Sequence, residues 1–236
     1  MDLSSFRVGN CPGQLVRLAR GGRRAAVIAN ALDAAPPEIR SEGVKRELDA
    51  LTALGLVAEE LDLRDYFGTG GPVASELRRY DIGWLRGGNV FVLRYAPARS
   101  GADAELTRVL GEDAIVYSGY SAGPCVLAPT LRGLETVDRA AVVEQLYREQ
   151  PIWEGLGVLD YSIIPHVNSP EHPESKALGL VAQAVSTARN TAQDAPRRRG
   201  PHHTDGDALG GLHGGSCAGQ QMGAHRVDGS TEPPKR

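Results

Sequence analysis

Residues 114–123 read Ala-Ile-Val-Tyr-Ser-Gly-Tyr-Ser-Ala-Gly, and this segment carries the strongest signal of the fold. The apolar run at 114–117 predicts a buried strand, and it leads directly into the pattern Gly-x-Ser-x-Gly centred on Ser121. Small residues on both sides of Ser121 allow a sharp turn from strand to helix that holds the hydroxyl away from the sheet. Open α/β sheets bind ligands at the carboxyl ends of their strands, so the stretch predicts an α/β fold and a candidate nucleophile.

Strand and helix patterns alternate along the first 188 residues. Four further apolar runs rich in β-branched residues predict buried parallel strands, at residues 25–29, 57–63, 82–85 and 161–165. Apolar residues at helical spacing lie between them, at residues 36–54, 89–95, 102–110 and 173–188. This alternation predicts right-handed crossovers and a three-layer α/β/α fold, with a mostly parallel sheet between two layers of helices.

Length and composition exclude several classes of protein. The chain has 236 residues, three cysteines and a net charge of −3, which gives no electrostatic reason to bind nucleic acid or an anionic membrane. It has no apolar run of the ~18–20 residues that a membrane helix needs, and no hydrophobic signal region. An odd, sparse set of cysteines fits a reducing compartment. We therefore expect a soluble, cytoplasmic protein without a nucleic-acid or membrane partner.

The last part of the chain differs from the rest in composition. Residues 196–236 contain nine glycines and four of the six histidines, but only Leu209, Leu212 and Val227 among Val, Ile, Leu, Phe, Tyr and Trp. Such a segment cannot bury enough apolar surface to offset its ordering entropy. We therefore predict an α/β domain at residues 1–190 and a low-complexity tail at 191–236, which is disordered or the product of a shifted reading frame. The tail histidines and Cys217 lack a recognised ligand spacing, so we expect no metal site.

A serine nucleophile needs a base, and His166 is the candidate. Histidine is the side chain best suited to take a proton near neutral pH. His166 directly follows the predicted strand at 161–165, so we expect it at a carboxyl strand end, on the same edge of the sheet as Ser121. His172 lies between prolines in the sequence Ser-Pro-Glu-His-Pro, and we interpret it as a solvated loop residue.

The base in turn needs an acidic group that orients it. Glu135 and Asp138 follow the serine closely, in the turn-like segment Arg-Gly-Leu-Glu-Thr-Val-Asp. Glu144 and Glu149 fall in a helical pattern and are interpreted as surface charge. Glu135 is therefore the first candidate for the acid, and Asp138 is the second.

Acyl transfer also needs backbone donors for a negatively charged tetrahedral intermediate. One candidate is the amide of Ala122, the residue that follows the serine. Another is the segment Arg86-Gly87-Gly88-Asn89, which joins a predicted strand to a helical pattern. Glycine there permits close approach of the backbone to a ligand, and a helix N-terminus favours an anion.

Together these motifs resemble the aspartyl dipeptidase (peptidase E) family of serine peptidases, to which the cyanophycinases are related. The motifs are Arg86-Gly87-Gly88-Asn89, Gly119-Tyr120-Ser121-Ala122-Gly123 and Ile164-Pro165-His166, and the resemblance covers nearly all of residues 1–185. It implies a fold similar to class I glutamine amidotransferases, with Ser121 as nucleophile and His166 as base. It also implies Gly88 and Ala122 as oxyanion donors. We expect hydrolysis of a small peptide through an acyl-enzyme, without a cofactor.

The position that recognises the substrate departs from the pattern of this family. Characterised aspartyl dipeptidases use an arginine a few residues past the histidine to bind the aspartate side chain of the substrate, whereas this chain has Lys176 at the nearest position. Lysine keeps the charge but loses bidentate recognition of a carboxylate. We expect Lys176 and Asn89 to contact the substrate, with Asp-x dipeptides as one candidate and a monomer or homodimer as the assembly.

Two other functions stay open at this point. An esterase of the α/β-hydrolase type would also use Gly-x-Ser-x-Gly, but there the acid lies far downstream of the serine, whereas Glu135 and Asp138 follow it closely. Alternatively, an inactive or truncated family member would bind small ligands or partners without turnover. The unusual tail favours that interpretation, because missing terminal strands would weaken the sheet that aligns the site. We expect the amino end to be short as well, since its first five residues leave little room for a strand.

Overall fold

Four parallel strands form the central sheet. The computed structural model describes residues 12–68, 73–167, 169, 171–193 and 223–226. Its sheet contains β1 (Arg24–Ile28), β2 (Val57–Glu60), β3 (Ile82–Leu85) and β4 (Val116–Gly119), in the order β2-β1-β3-β4. All three strand pairs are parallel. The predicted α/β fold with a mostly parallel sheet is therefore confirmed.

Helices connect these strands and cover the sheet. They are α1 (Pro12–Leu18), α2 (Pro37–Thr52), α3 (Val73–Leu77), α4 (Val90–Ser100), α5 (Ala102–Gly111), α6 (Ala122–Cys125), α7 (Ala141–Tyr147) and α8 (Ser175–Gln193). The predicted helix at 89–95 is longer than expected, since α4 continues through Pro97 to Ser100. It ends at Gly101, whose φ of 79° separates α4 from α5. No helix in the described part of the chain is long and apolar enough to cross a membrane.

The two faces of the sheet are buried against different helices. Side chains alternate between the faces of a strand. In β1, Ala25 and Val27 pack with apolar residues of α1 and α2. Their neighbours Ala26 and Ile28 belong to a second cluster, with α4 and α5. Both faces of β1 are thus completely buried, which produces the three predicted layers.

The predicted strand at residues 57–63 is shorter and less buried than expected. β2 ends at Glu60 and lies at the edge of the sheet, with β1 as its strand partner. Its side chains alternate between exposed and half-buried positions, and Val57 is 54% exposed. The prediction of a buried strand was wrong here because an edge strand has a neighbour on one side only.

The predicted parallel strand at residues 161–165 also has a different partner. β5 (Tyr161–Ile164) pairs antiparallel with β6 (Gly223–Arg226), so Tyr161 lies opposite Arg226 and Ile164 opposite Gly223. Backbone pairing requires no apolar side chains, so the composition of the tail gave no sign of β6. The described residues of the predicted tail are those of β6 and the end of α8; its remainder lies outside the described residues, and the division at residue 190 stays a prediction.

A tight turn joins β4 to α6 and carries Ser121. Only Tyr120 and Ser121 lie between the end of β4 and the start of α6. A Cβ atom at Gly119 would lie 2.2 Å from the carbonyl oxygen of Leu85, and a Cβ atom at Gly123 would lie 2.3 Å from the same oxygen. The two glycines of the motif therefore let the turn pack directly on the backbone of β3.

This close approach predicts a large effect for Gly123→Ala. The added methyl group would meet a backbone carbonyl that cannot move without distorting β3, so we expect a loss of about 1–3 kcal/mol in the free energy of unfolding. Gly179→Ala is a matched control, because a Cβ atom at Gly179 in α8 meets nothing within 4 Å. We expect the free energy of unfolding of that control, measured in urea, to rise by about 0.5–1 kcal/mol. Equal stability of the two variants would contradict the packing argument.

Candidate active site

Ser121 and His166 meet at one end of the fold. Ser121 follows β4 directly, and His166 follows β5 after Pro165. The Nε2 atom of His166 lies 3.0 Å from the Oγ atom of Ser121, which is hydrogen-bonding distance. The thiol of Cys125 lies 3.1 Å from the carbonyl oxygen of Ser121 and 3.4 Å from that of Ile163. The helix after the serine therefore contacts the strand before the histidine, and this contact brings the two side chains together.

Both residues have a backbone conformation that is unusual for a side chain other than glycine. The φ angle is 52° at Ser121 and 58° at His166. Ser121 also has a ψ of −112°, outside the regions that most residues adopt. Such strain is typical of the turn that exposes a nucleophile at the end of a strand.

The pair opens into a cavity of about 300 Å³. Its polar and titratable lining residues are Arg86, Tyr120, Ser121, Cys125, Asp138, His166, His172 and Glu174. The remaining lining is apolar or glycine. This size fits a small ligand better than a folded protein substrate.

The predicted oxyanion donors lie at this cavity. Gly88 and Ala122 line it, and a Cβ atom at Gly87 would lie 2.8 Å from the Cβ atom of Ser121. The segment after β3 thus passes directly beside the serine. Within the described residues, the amides of Gly88 and Ala122 donate to no protein acceptor. Both N–H groups are available to a negatively charged oxygen.

The two candidate acids differ in position. Glu135 is exposed and does not line the cavity; its Oε2 atom accepts the N–H of Gly133 at 2.5 Å. Asp138 lines the cavity, and its Oδ2 atom accepts the N–H of Val90 at 2.9 Å. The structure therefore brings the second candidate to the site and leaves the first outside it. No carboxylate in the described ranges forms an ion pair with His166.

Burial and charge change the acidity of both groups in the cavity. The pKa of Asp138 is raised to about 6, because desolvation and the charge of Glu174 outweigh the opposing hydrogen bond from the Val90 amide. Desolvation, together with the charge of the neighbouring His172, lowers the pKa of His166 to about 4. His166 is therefore neutral at pH 7, the form that can accept a proton from Ser121.

Comparison with known proteins decides the family. The model of peptidase family S51 matches residues 32–192, more than half of the chain. The chain belongs to peptidase family S51. The predicted resemblance to the peptidase E family is thus confirmed.

Curated relatives and solved structures agree with this S51 assignment. The chain is 30% identical over 125 residues to the uncharacterized peptidase Lmo0363 of Listeria monocytogenes, covering 53% of the chain and 58% of that protein. It is 30% identical over 120 residues to Lin0382 of Listeria innocua, an uncharacterized peptidase, covering 51% and 54%. The S51 chain thus spans a little over half the length of these relatives.

Two solved structures share the fold. One is a Listeria monocytogenes protein named as a peptidase E, with a TM-score of 0.55 and 27% identity over 69% of this chain and 75% of that one. The other is a peptidase from an acI-B1 actinobacterium, with a TM-score of 0.51 and 18% identity over 72% and 68%. The second likeness shows the fold alone.

The two predicted substrate contacts of this S51 chain do not line the cavity. The Oδ1 atom of Asn89 caps α4, accepting the N–H groups of Phe91 at 3.0 Å and Val92 at 3.1 Å. Its Nδ2 atom donates to the carbonyl oxygen of Arg139 at 3.1 Å. Lys176 is exposed, in the first turn of α8. The role of Asn89 in this structure is therefore helix capping, which the sequence motif alone does not distinguish from ligand binding.

Sequence reasoning missed His172. The sequence predicts a solvated loop residue, but its ring stacks on that of His166, with ring centroids 3.6 Å apart and an angle of 2° between the planes. The Ser and Pro residues around it correctly predict turns. Nothing local in the sequence shows that these turns bring His172 back over His166.

A second missed residue is Glu47, whose carboxylate is completely buried beneath the site. It accepts a hydrogen bond from the indole of Trp84 at 3.0 Å and one from the hydroxyl of Tyr120 at 2.8 Å. The Nε atom of Arg86 lies 3.3 Å from it. Glu47 thus ties α2 to β3 and to the turn that carries Ser121. Glu47 stands at helical spacing from Val44 and Leu51, so it lies on the same buried face of α2. A charged residue on an apolar helix face was the signal in the sequence that could have identified it.

The acidity of Asp138 predicts a pH-dependent change in stability for Asp138→Asn. The folded pKa near 6 lies above the ordinary value of 3.8. The protonated Asp138 therefore stabilises the fold fully below pH 3.8, and this stabilisation is lost as the pH rises through 6. The free energy of unfolding of the variant, relative to that of wild type, should therefore rise by about 1–3 kcal/mol between pH 4 and pH 7. Urea unfolding of both proteins at the two pH values measures this change. The titration of His166 is common to both proteins, so it cancels from the difference between them. A difference independent of pH would refute the assignment.

Proposed function

We propose that this S51 protein is a serine peptidase that hydrolyses small peptides through an acyl-enzyme on Ser121. The observation that carries the proposal is the 3.0 Å contact between the Nε2 atom of His166 and the Oγ atom of Ser121. The hydroxyl faces a small cavity in which two backbone amides have no protein acceptor among the described residues. A nucleophile, a base and oxyanion donors are the minimum set for acyl transfer.

The chemistry follows from the protonation state of His166. The neutral ring accepts the proton of the Ser121 hydroxyl while the oxygen attacks the peptide carbonyl, and the amides of Gly88 and Ala122 bind the resulting oxyanion. The ring then gives its proton to the leaving amine as the C–N bond breaks. Water, deprotonated by the same ring, attacks the ester, and its proton returns to Ser121 when the acid product leaves. No step requires a cofactor or a metal.

We infer that Asp138, rather than Glu135, is the acidic group of this site. Asp138 lines the same cavity as the reacting pair, whereas Glu135 is exposed and bonded to its own turn. A carboxylate in this cavity stabilises the imidazolium that forms during the reaction, because the attraction acts through a partly desolvated space.

The substrate that the cavity fits best is a small peptide. Its charged lining consists of the carboxylates Asp138 and Glu174 and the guanidinium of Arg86. That guanidinium already donates to the carbonyl oxygen of Gly87 at 2.5 Å and lies beside Glu47. Asp-x dipeptides therefore form one arm of a panel that also contains neutral and basic N-terminal residues.

Ser121→Ala tests the central assignment. Removing the nucleophile should lower kcat for peptide hydrolysis by at least about 10³-fold, because it removes the hydroxyl that lies in contact with His166. The fold should stay intact, as circular dichroism and thermal unfolding will show. A serine-reactive phosphonate should add once to the wild type, at a peptide containing Ser121, and not to the variant.

Ser186→Ala is the control for that experiment. Ser186 lies on α8, donates to the carbonyl oxygen of Ala182 at 2.8 Å and does not line the cavity, so the variant should keep wild-type activity. Full peptidase activity in Ser121→Ala would end the proposal. Hydrolysis of nitrophenyl esters without peptides would favour an esterase, and a folded wild type that takes up no phosphonate would favour a protein that only binds ligands.

Asp138→Asn and Glu135→Gln separate the two candidate acids. We expect Asp138→Asn to lower kcat/KM at pH 7 by at least about tenfold, because it removes the charge that stabilises the imidazolium. Glu135→Gln should stay within about twofold of wild type, since its side chain lies outside the cavity. Steady-state kinetics on one dipeptide decides the question, and the reverse order of effects would restore Glu135.

A further inference from the structure

The ring of His166 needs an external restraint to meet Ser121. Rotation about the bond between Cβ and the ring has broad energy wells, so the torsion alone does not fix the plane of an imidazole. In triads a carboxylate that accepts the second ring N–H supplies this restraint. Within the described residues, neither Asp138 nor any other carboxylate pairs with His166.

The ring of His172 occupies the position from which such a restraint can act. The two rings are parallel to within 2°, and their centroids are 3.6 Å apart, which is full van der Waals contact. Rotation of the His166 ring out of its plane would drive an edge into the face of His172. The stack therefore leaves the Nε2 atom of His166 directed at the Oγ atom of Ser121.

His172 is itself held by its own loop. Its backbone N–H donates to the carbonyl oxygen of Ser169 at 2.8 Å, and its carbonyl oxygen accepts the N–H of Ser175 at 3.0 Å. Its Nδ1 atom accepts the N–H of Glu174 at 3.4 Å. These bonds hold both the backbone and the ring of His172 beside His166.

We propose that His172 is a positioning residue of this site, whose flat ring sets the plane of the His166 imidazole for proton transfer with Ser121. The inference rests on the proposed function, because it presupposes that His166 is the base. His172 touches the base and not the reacting atoms, so its contribution is to geometry.

The electrostatics of the pair agree with this role. Two stacked imidazolium rings would repel each other in a partly buried site, and His172 accordingly contributes to the lowered pKa of His166. The other titratable or charged groups that line the cavity are Arg86, Tyr120, Cys125, Asp138 and Glu174. The stack therefore favours the neutral form of His166, the state in which it accepts a proton.

Three substitutions at position 172 distinguish the effect of a flat ring from the effects of side-chain volume and of charge. His172→Ala removes the ring, His172→Leu fills the space without a flat face, and His172→Phe keeps a flat ring that carries no charge. We expect kcat on a dipeptide to fall by about 10–100-fold in the Ala and Leu variants, with KM within about threefold. The Phe variant should recover kcat to within about threefold of wild type.

The pH profile distinguishes positioning from charge. All three variants lack the neighbouring imidazole, so the acid limb of kcat/KM should move to higher pH in each of them. Suppose that kcat recovers in His172→Phe alone, while the acid limb of kcat/KM shifts in all three variants. This combination would show that a flat ring positions the base. If Phe is as slow as Leu while both unfold at the wild-type temperature, or if Ala keeps wild-type kcat, the proposal is overturned.

A measurement without turnover tests the stack directly. In the NMR spectrum of ¹³C-histidine-labelled protein, the His166 ring signals should be alike in wild type and His172→Phe and should move toward random-coil values in His172→Leu. Identical His166 signals in wild type and the Leu variant would overturn the inference. Absence of phosphonate labelling at Ser121 in the wild type would instead defeat the proposed function. If the Ala variant fails to fold, the comparison of Phe with Leu still decides.

Discussion

The turn that carries Ser121 packs against the carbonyl oxygen of Leu85, at the end of β3, and the rest of the site depends on this contact. The turn packs so closely on this oxygen that neither glycine of the motif has space for a Cβ atom. The amide of Tyr120 also points to it, at 3.4 Å. Because β3 lies between β1 and β4, this backbone cannot yield without disturbing the sheet. The position of Ser121 is therefore set by the backbone of a central strand, which is paired on both sides.

Two layers of structure then complete the site around that fixed point. From below, the buried carboxylate of Glu47 joins α2 to Trp84 and to Tyr120, the residue before the nucleophile. From above, the loop between β5 and α8 supplies two imidazole rings in contact. The serine thus belongs to the sheet and the base to a loop. This division is common in enzymes, where a rigid scaffold carries groups on its connecting segments.

The sequence was sufficient for the parts of the molecule that depend on local patterns. The strands at 25–29 and 82–85 and the turn at Ser121 could be predicted because apolar periodicity and paired glycines act over a few residues. The partner of β5 could not, because β6 lies far along the chain in a segment poor in apolar residues. Glu135 and Asp138 have equivalent patterns, and only tertiary burial separates them. His172 shares this difficulty: its loop was predictable, but its stacking partner was not.

The positive φ angles of Ser121 and His166 have a consequence for how this protein can change. A residue with a side chain in that region costs of order 1 kcal/mol or more, and glycine avoids most of this cost. Selection for thermal stability alone would therefore favour glycine at the two positions where the chemistry needs a hydroxyl and an imidazole. A library screened only for heat resistance would drift toward stable, inert proteins, so any engineering of this scaffold has to select for turnover at every round.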